Sequence, residues 1–241
     1  MMKKKTWLKR FFVIILTFVL VTIIGGWIYL EQATYSPTEE AKATSLLGDD
    51  RGNVLVFEGK TDYPAIIFYQ GALVEKESYS IWASKIAEVG YSVYLVQMPL
   101  NLAVLNGNIA EEIISEYELE EVVMGGHSLG GVMSSRFAAT HSNQVKGVFF
   151  LASYPDEKGS LANFSKPVLS ITAGRDGVLN TEAYEEAKNY LPESTEYVRI
   201  DGGNHAGFGS YGEQKGDLSS EINDQQEQLQ QILIEWLNEL D

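Results

Sequence analysis

Four glycines surround a single serine, Ser128, in the segment VVMGGHSLGGV, which covers residues 122–132. A strand that turns sharply into a helix needs small neighbours, and a serine at the apex of such a turn projects its hydroxyl outward. The hydroxyl becomes a useful nucleophile when a base removes its proton, and that base is usually a histidine oriented by a carboxylate. The alternative is a glycine-rich turn that only lets a helix approach a sheet. The pattern favours nucleophilic chemistry, so a base and an acid are expected elsewhere in the chain.

The chain has three histidines that could act as this base. His127 lies inside the turn, and its side chain is expected to point away from the apex. His141 ends the helix predicted after the turn and is expected at the surface. His205 lies in DGGNHAGFGSYG, a glycine-rich loop directly after the last predicted strand. From that loop an imidazole could reach across the carboxyl edge of a sheet, so we predict His205 as the base.

Three aspartates are candidates for the carboxylate that orients the base. Asp176, in SITAGRDGVLN, comes just past a predicted strand and therefore at the same sheet edge. Its other interpretation is an Asp-Gly turn residue. Asp156 follows the preceding strand, and Asp201 ends the final strand, only four residues before His205. Because Asp201 would have to fold back along its own loop, we predict Asp176 as the acid.

Backbone N–H groups are expected to hold the oxyanion that forms when the serine attacks a carbonyl. One donor should be Leu129, the residue after the nucleophile. The other should come from the loop YQGALVEKESY, where Gly71 permits a tight turn. This makes the N–H of Ala72 the predicted donor and that of Leu73 the second choice. Glu75 is expected to cap the following helix or, alternatively, to line the pocket.

Apolar or β-branched runs alternate with helical patterns along the chain. The runs predict strands over 53–57, 65–70, 91–98, 121–126, 145–152, 167–174 and 196–202. The helical patterns cover 76–89, 108–118, 129–141, 181–191 and a last amphipathic segment that contains Leu229, Leu233 and Trp236. Several runs are nearly all apolar, which is typical of strands covered on both faces. The alternation predicts an α/β fold with a mostly parallel central sheet and helices on both faces.

The chain resembles the alpha/beta hydrolases. The resemblance rests on the elbow GGHSLGG, the acid in GRDG, the base in GGNHAGF and the chain order Ser, Asp, His. It covers residues 51–241 and is strongest to the small, lidless esterases and dienelactone-hydrolase-like proteins. Dienelactone hydrolases use a cysteine, so their substrate is not implied. Gln70 before Gly71 departs from the common His-Gly form of the oxyanion loop. Fourteen residues, SYPDEKGSLANFSK, separate two predicted strands where many members insert a lid, so no lid domain is expected.

The resemblance implies a serine hydrolase that acts without a cofactor or metal. The expected substrate is a small acyl compound, most simply a short-chain carboxylic ester cleaved through an acyl-enzyme on Ser128. An acyltransferase or a membrane-lipid hydrolase would use the same three residues. A membrane-tethered binding module of the same fold is a second alternative, although such proteins usually lose one of the three.

The N-terminal segment MMKKKTWLKR carries five cations and precedes FFVIILTFVLVTIIGGWIYL, twenty residues without a charge. A helix of that length spans about 30 Å, the thickness of the hydrocarbon core of a bilayer. The cations predict a cytoplasmic tail over 1–10, a single-pass signal anchor over 11–30, a linker over 31–50 and an extracytoplasmic catalytic domain over 51–241. A cleaved signal peptide is the alternative, but its apolar region is usually shorter and ends at a small-x-small site. A buried core helix does not account for the basic flank.

Charge and composition exclude some partners. Without the five N-terminal cations the chain has thirteen Lys and Arg against thirty-three Asp and Glu, a net charge of −20. Nucleic acid is not expected to bind such a surface. The chain has no cysteine, so it has no disulfide framework and no thiolate metal ligand, and a metal enzyme is not expected from its two remaining histidines.

Overall fold

The computed structural model describes residues 2–59 and 63–240, apart from the side chains of residues 2–6 and 8. Two compact units are formed by Met1–Thr34 and Tyr35–Asp241. The first unit is helix α1, Met2–Ala33. Within α1, Lys9–Ala33 contains an 18-residue window with a mean hydropathy of 2.7 and is long and apolar enough to cross a membrane, a test that a signal sequence also passes. Three of the cations expected in the cytoplasm, Lys3, Lys4 and Lys5, have side chains outside the described part.

The second unit contains an eight-stranded sheet with the order β1-β2-β4-β3-β5-β6-β7-β8. The strands are β1 Asp49–Asp50, β2 Val54–Phe57, β3 Ala65–Tyr69, β4 Val93–Val96, β5 Val122–His127, β6 Val145–Leu151, β7 Val168–Ala173 and β8 Glu196–Ile200. The β1–β2 and β2–β4 pairs are antiparallel. The β4–β3, β3–β5, β5–β6, β6–β7 and β7–β8 pairs are parallel. The carboxyl ends of β3 to β8 therefore share one edge of the sheet.

Helices cover both faces of this sheet. The α-helices of this unit are α2 Glu39–Ser45, α3 Ser80–Glu88, α4 Ile109–Glu116, α5 Leu129–Thr140, α6 Thr181–Ala187 and α7 Gln225–Leu237. Strands β3 and β5 are buried along their whole length, so their side chains enter two separate apolar clusters. One cluster contains residues of α3 and α7, and the other contains residues of α4 and α5. The predicted α/β architecture with a mostly parallel sheet and helices on both faces is confirmed.

The segment 31–50, expected as a linker, is partly structured. Thr38 caps α2 by accepting a hydrogen bond from the N–H of Ala41, and Ala41 is fully buried. Tyr35 donates its N–H to the Leu73 carbonyl and accepts from the N–H of Glu75, so it pairs with the loop after β3. The compact unit thus begins at Tyr35 rather than at residue 51. A seven-residue helix with one buried alanine produces no apolar periodicity, which explains why the sequence did not predict it.

The connection between β6 and β7 is short. Its regular structure is a single 3₁₀ turn, Glu157–Gly159, with no α-helix in this fully described segment. The carboxyl edge of the sheet is therefore not covered by an inserted domain at this position, as the sequence predicted.

Candidate active site

Ser128 lies between the end of β5 and the start of α5, at the apex of a strand-to-helix turn. Its backbone has φ 51° and ψ −122°, a conformation that L-residues rarely adopt. A Cβ atom on Gly126 would collide with the backbone of Gly130, and one on Gly130 would collide with the Tyr69 carbonyl. The two glycines are thus required by close backbone contact. The elbow predicted from the sequence has the expected position and glycine environment.

His205 and Asp176 are joined by a hydrogen bond of 2.8 Å between Nδ1 and Oδ2. Both side chains are buried, with 1% and 3% exposed. The other oxygen of Asp176, Oδ1, accepts the N–H groups of Val178 and Leu179 at 2.8 and 2.7 Å. Both donors lie in the loop that contains Asp176, so the two bonds hold the carboxylate in a fixed position relative to its own backbone. The Nε2 atom of His205 has no hydrogen-bond partner in the part of the chain that the structure describes.

Ser128 and His205 line one cavity of about 260 Å³ at the carboxyl edge of the sheet. Its apolar wall includes Leu129, Val132 and Leu179. The structure thus brings the predicted nucleophile and the predicted base to one cavity, with the predicted acid bonded to the base from behind. The carboxylate of Asp176 is placed to stabilise an imidazolium at His205, whereas no hydrogen bond joins Ser128 to Nε2 of His205 in this structure.

The two other candidate carboxylates are engaged away from His205. Asp156 forms an ion pair with Arg136, and this hydrogen bond lowers the pKa of Asp156. Its Oδ1 also accepts the N–H of Gly159 at 3.0 Å. Asp201 has a side chain that is 90% exposed and pairs with Arg199 at 3.2 Å. Neither carboxylate is therefore available to orient the imidazole.

The remaining histidines occupy distinct environments. The ring of His141 is half-buried and stacks on Phe137, with 4.1 Å between ring centroids. His127 is buried and bonds through Nδ1 to the Tyr79 hydroxyl at 2.9 Å. Its ring centroid lies only 4.6 Å from that of His205, so His127 is a neighbour of the predicted base and not merely a residue facing away from the apex.

Tyr79 connects His127 to the loop after β3. The Tyr79 hydroxyl accepts the N–H of Gly71 at 2.9 Å, which leaves its own proton to donate to His127 Nδ1. Burial raises the pKa of Tyr79, so the hydroxyl keeps this proton. Burial, and then the neighbouring His205, lower the pKa of His127 well below its ordinary value. His127 therefore stays neutral and adds no positive charge that would oppose an imidazolium at His205.

Hydrogen bonds around the loop after β3 distinguish the candidate oxyanion donors. The N–H of Leu73 donates to the Asn101 carbonyl at 2.7 Å, so this second choice is already used. The N–H of Ala72 has no such bond among the described residues. Gln70, which stands where the common motif has histidine, is buried and donates through Nε2 to Asn101 Oδ1 at 2.8 Å. Leu129 begins α5, where a backbone N–H has no partner within the helix.

Glu75 occupies the N-cap position of the 3₁₀ turn Lys76–Tyr79, but its side chain makes no capping bond. Burial and, next, the charge of Glu77 raise the pKa of Glu75, whereas a hydrogen bond to Ser36 opposes this change. Glu75 does not line the cavity that contains Ser128. The expectation that the Glu75 side chain caps the following helix is therefore wrong, because its carboxyl group is turned toward the segment that begins at Tyr35.

A model of the alpha/beta hydrolase family matches residues 65–230, more than half of the chain. The chain belongs to the alpha/beta hydrolase family. The resemblance noted from the elbow, the acid and the base is thereby confirmed at the level of the family. A search of curated proteins finds no match to this alpha/beta hydrolase.

Solved structures similar to this alpha/beta hydrolase include esterases and lipases. MGS-MChE2, an alpha/beta hydrolase enzyme from the metagenome of Mar Chica lagoon sediments in Morocco, has a TM-score of 0.61 at 17% identity, covering 80% of this chain and 98% of its own. Est1E from Butyrivibrio proteoclasticus has a TM-score of 0.59 at 15% identity, and the match covers 80% of this chain and 97% of Est1E. The monoacylglycerol lipase of Paleococcus ferrophilus has a TM-score of 0.62 at 15% identity, and the match covers 78% of this chain and 98% of the lipase. At these identities the similarity shows the shared fold.

Proposed function

We propose that this alpha/beta hydrolase is a membrane-anchored, extracytoplasmic serine hydrolase that cleaves short-chain carboxylic esters. The observation that carries the proposal is the buried 2.8 Å bond between His205 and Asp176, with His205 and Ser128 lining one cavity. The alpha/beta hydrolase family supports hydrolysis in general. The ester and its chain length are inferred from the site.

In this mechanism the hydroxyl of Ser128 gives its proton to Nε2 of His205 as Oγ attacks the ester carbonyl. Asp176 accepts from Nδ1–H and stabilises the imidazolium that forms. The N–H groups of Ala72 and Leu129 donate to the oxyanion of the tetrahedral intermediate. The imidazolium then returns its proton to the leaving alcohol, and an acyl-enzyme remains. A water molecule, deprotonated by His205, attacks that acyl group and releases the acid and the free serine.

The size of the cavity favours a short acyl group. Its volume of about 260 Å³ lies below the range of pockets that enclose drug-sized ligands. Burial of each methylene stabilises binding by about 0.8 kcal/mol, but only where apolar walls exclude water. The short β6–β7 connection provides no additional apolar cover, so methylenes beyond the first few would stay in water.

A chain-length series tests this proposal. With p-nitrophenyl esters from acetate to palmitate, we expect kcat/KM of the full-length protein to be highest at about two to four carbons, because longer chains gain no further burial. The series is measured in detergent micelles and in liposomes. A maximum at twelve or more carbons that appears only in liposomes would replace the proposal with a membrane-lipid hydrolase, and no hydrolysis of any ester would contradict both. Products formed with added alcohol identify an acyltransferase, since the alcohol would then carry the acyl group.

Membrane attachment is proposed from helix α1, whose segment Lys9–Ala33 can span a bilayer by length and composition. We expect protease added to intact cells or spheroplasts to digest residues 35–241, because the N-terminal cations favour the cytoplasmic side. The protein should also stay with the membrane fraction after a high-salt wash. A cytoplasmic protein under the same conditions is the control. Full protection of residues 35–241 would contradict the orientation, and a mature N-terminus after residue 30 would identify a cleaved signal.

A further inference from the structure

Asp217 lies on the segment that follows the His205 loop. Its carboxylate accepts hydrogen bonds from the backbone next to Asp176 and next to His205. Its Oδ1 accepts the N–H of Gly177 at 2.9 Å, and its Oδ2 accepts the N–H of Ala206 at 2.9 Å. Gly177 directly follows Asp176, and Ala206 directly follows His205. One side chain therefore holds the residue next to the acid and the residue next to the base.

The segment around Asp217, residues 216–221, is here named the strap. The Leu218 carbonyl accepts from the side chain of Asn204 at 2.7 Å, and the Ser219 carbonyl accepts from Arg175 Nε at 2.8 Å. A Cβ atom on Gly177 would lie 2.7 Å from the Gly216 carbonyl oxygen, so the strap packs closely on the acid loop. The strap thus contacts the acid loop and the base loop at several points.

The two loops also have a direct link that does not involve Asp217. The N–H of Arg175 donates to the Gly203 carbonyl at 2.8 Å. Because this link and the other strap contacts remain, loss of the Asp217 carboxylate should leave the loops folded. It would release the N–H groups of Gly177 and Ala206, which are next in sequence to Asp176 and His205. The expected effect is therefore on the alignment of the acid and base side chains rather than on the fold.

Asp217 forms no ion pair in the described part of the chain, and the one further bond of its carboxylate is local, from the N–H of Leu218 to Oδ1 at 2.9 Å. An ionised carboxylate forms shorter and stronger hydrogen bonds with N–H donors than a neutral group does. We propose that Asp217 is a positioning residue, which holds the loops of Asp176 and His205 in the alignment that their hydrogen bond requires. The inference rests on the proposed function, in which His205 is the base and Asp176 orients it.

The test compares Asp217→Asn with Glu221→Gln in the full-length protein in detergent micelles. Glu221 is on the same strap and pairs with Arg175 at the surface, so its variant removes an equal charge outside the bonds to Gly177 and Ala206. For p-nitrophenyl acetate, Asp217→Asn should lower kcat by about 10- to 100-fold and change KM by less than about twofold, since small misplacement of reacting groups affects the chemical step. Glu221→Gln should stay within about twofold of wild type for both constants.

A spectroscopic measurement separates positioning from general destabilisation. The low-field proton resonance of His205 Nδ1–H, identified by its loss in Asp176→Ala, reports the bond to Asp176. It should broaden or move upfield in Asp217→Asn and stay unchanged in Glu221→Gln, while thermal unfolding confirms that both variants are folded. If Asp217→Asn is unfolded, Asp217→Glu, which keeps an ionised acceptor, replaces it and should show a smaller change of the same kind.

Two results overturn the positioning role. One is a folded Asp217 variant with wild-type kcat and an unchanged resonance, and the other is a loss of activity that only follows the loss of folded protein. The resonance is recorded without substrate, so it still tests Asp217 if the wild-type protein cleaves no ester. In that case the proposed function fails while the alignment of Asp176 and His205 is judged separately.

Discussion

Replacement of Ser128 by alanine is expected to lower kcat for a short-chain ester by about 10⁵-fold or more, because the proposed acyl-enzyme forms on its hydroxyl, whereas the hydroxyl of Ser153, which also lines the cavity, donates to the Ser128 carbonyl. Replacement of His205 by alanine should cost a similar factor, since the two residues act as one unit and their effects do not add. The measurement is hydrolysis of p-nitrophenyl acetate by the full-length protein. Labelling with a fluorophosphonate probe should disappear in both variants.

Ser194→Ala is the matched control for the serine variant. Ser194 is exposed and lies between α6 and β8, so its loss should leave both hydrolysis and labelling unchanged. Near-wild-type hydrolysis by Ser128→Ala would show that the nucleophile lies elsewhere. A wild-type protein that neither reacts with the probe nor cleaves any ester would favour the tethered binding module.

Asp176→Asn is expected to lower kcat by about 10⁴-fold. The amide can still accept the N–H groups of Val178 and Leu179 through its oxygen, so the loop should remain folded. Its NH₂ group would then face Nδ1 of His205 and favour the tautomer with the proton on Nε2. That tautomer cannot accept the proton of Ser128, so the chemical step fails while substrate binding is retained.

The same substitution at Asp156 and at Asp201 provides the comparison. Asp201→Asn removes an exposed ion pair and should change kcat by less than about twofold. Asp156→Asn removes the partner of Arg136 and should lower stability more than activity. The kcat values of the three variants, each normalised to folded protein, rank the carboxylates. A larger loss in Asp156→Asn or Asp201→Asn than in Asp176→Asn would move the acid to that position.

The fold could be predicted from sequence because most of its elements have strong local patterns. All seven predicted strand segments overlap a strand of the sheet, since continuous apolar runs such as AIIFY are required where both faces are covered. The predicted helix after the elbow matches Leu129–Thr140 within one residue. What escaped prediction has no such pattern: β1 is two exposed aspartates, and α2 buries Ala41.

The residues of the candidate site differ in the same way: some have a local sequence pattern and others do not. Ser128, Asp176 and His205 could be selected because each follows a strand, and parallel strands bring their carboxyl ends to one edge. Tyr79 and Asp217 could not, because their hydrogen bonds to other loops produce no pattern in the sequence. Asp217 stands in the polar stretch KGDLSS, where an aspartate is typical of any surface loop. A weak indication was available for Tyr79, since a tyrosine eight residues after Gly71 precedes a helix that packs on β3.

The backbone of Ser128 has a consequence for how this chain can evolve. A residue other than glycine at φ 51° and ψ −122° destabilises the folded state by about 1 to 3 kcal/mol. Glycine would relieve this strain at no steric cost, and the surrounding elbow already accepts glycine at four positions. A lineage released from selection for catalysis would thus gain thermal stability by the single change to glycine. Under the proposed mechanism the Ser128 hydroxyl is needed for activity, so stability and activity would compete at this one residue.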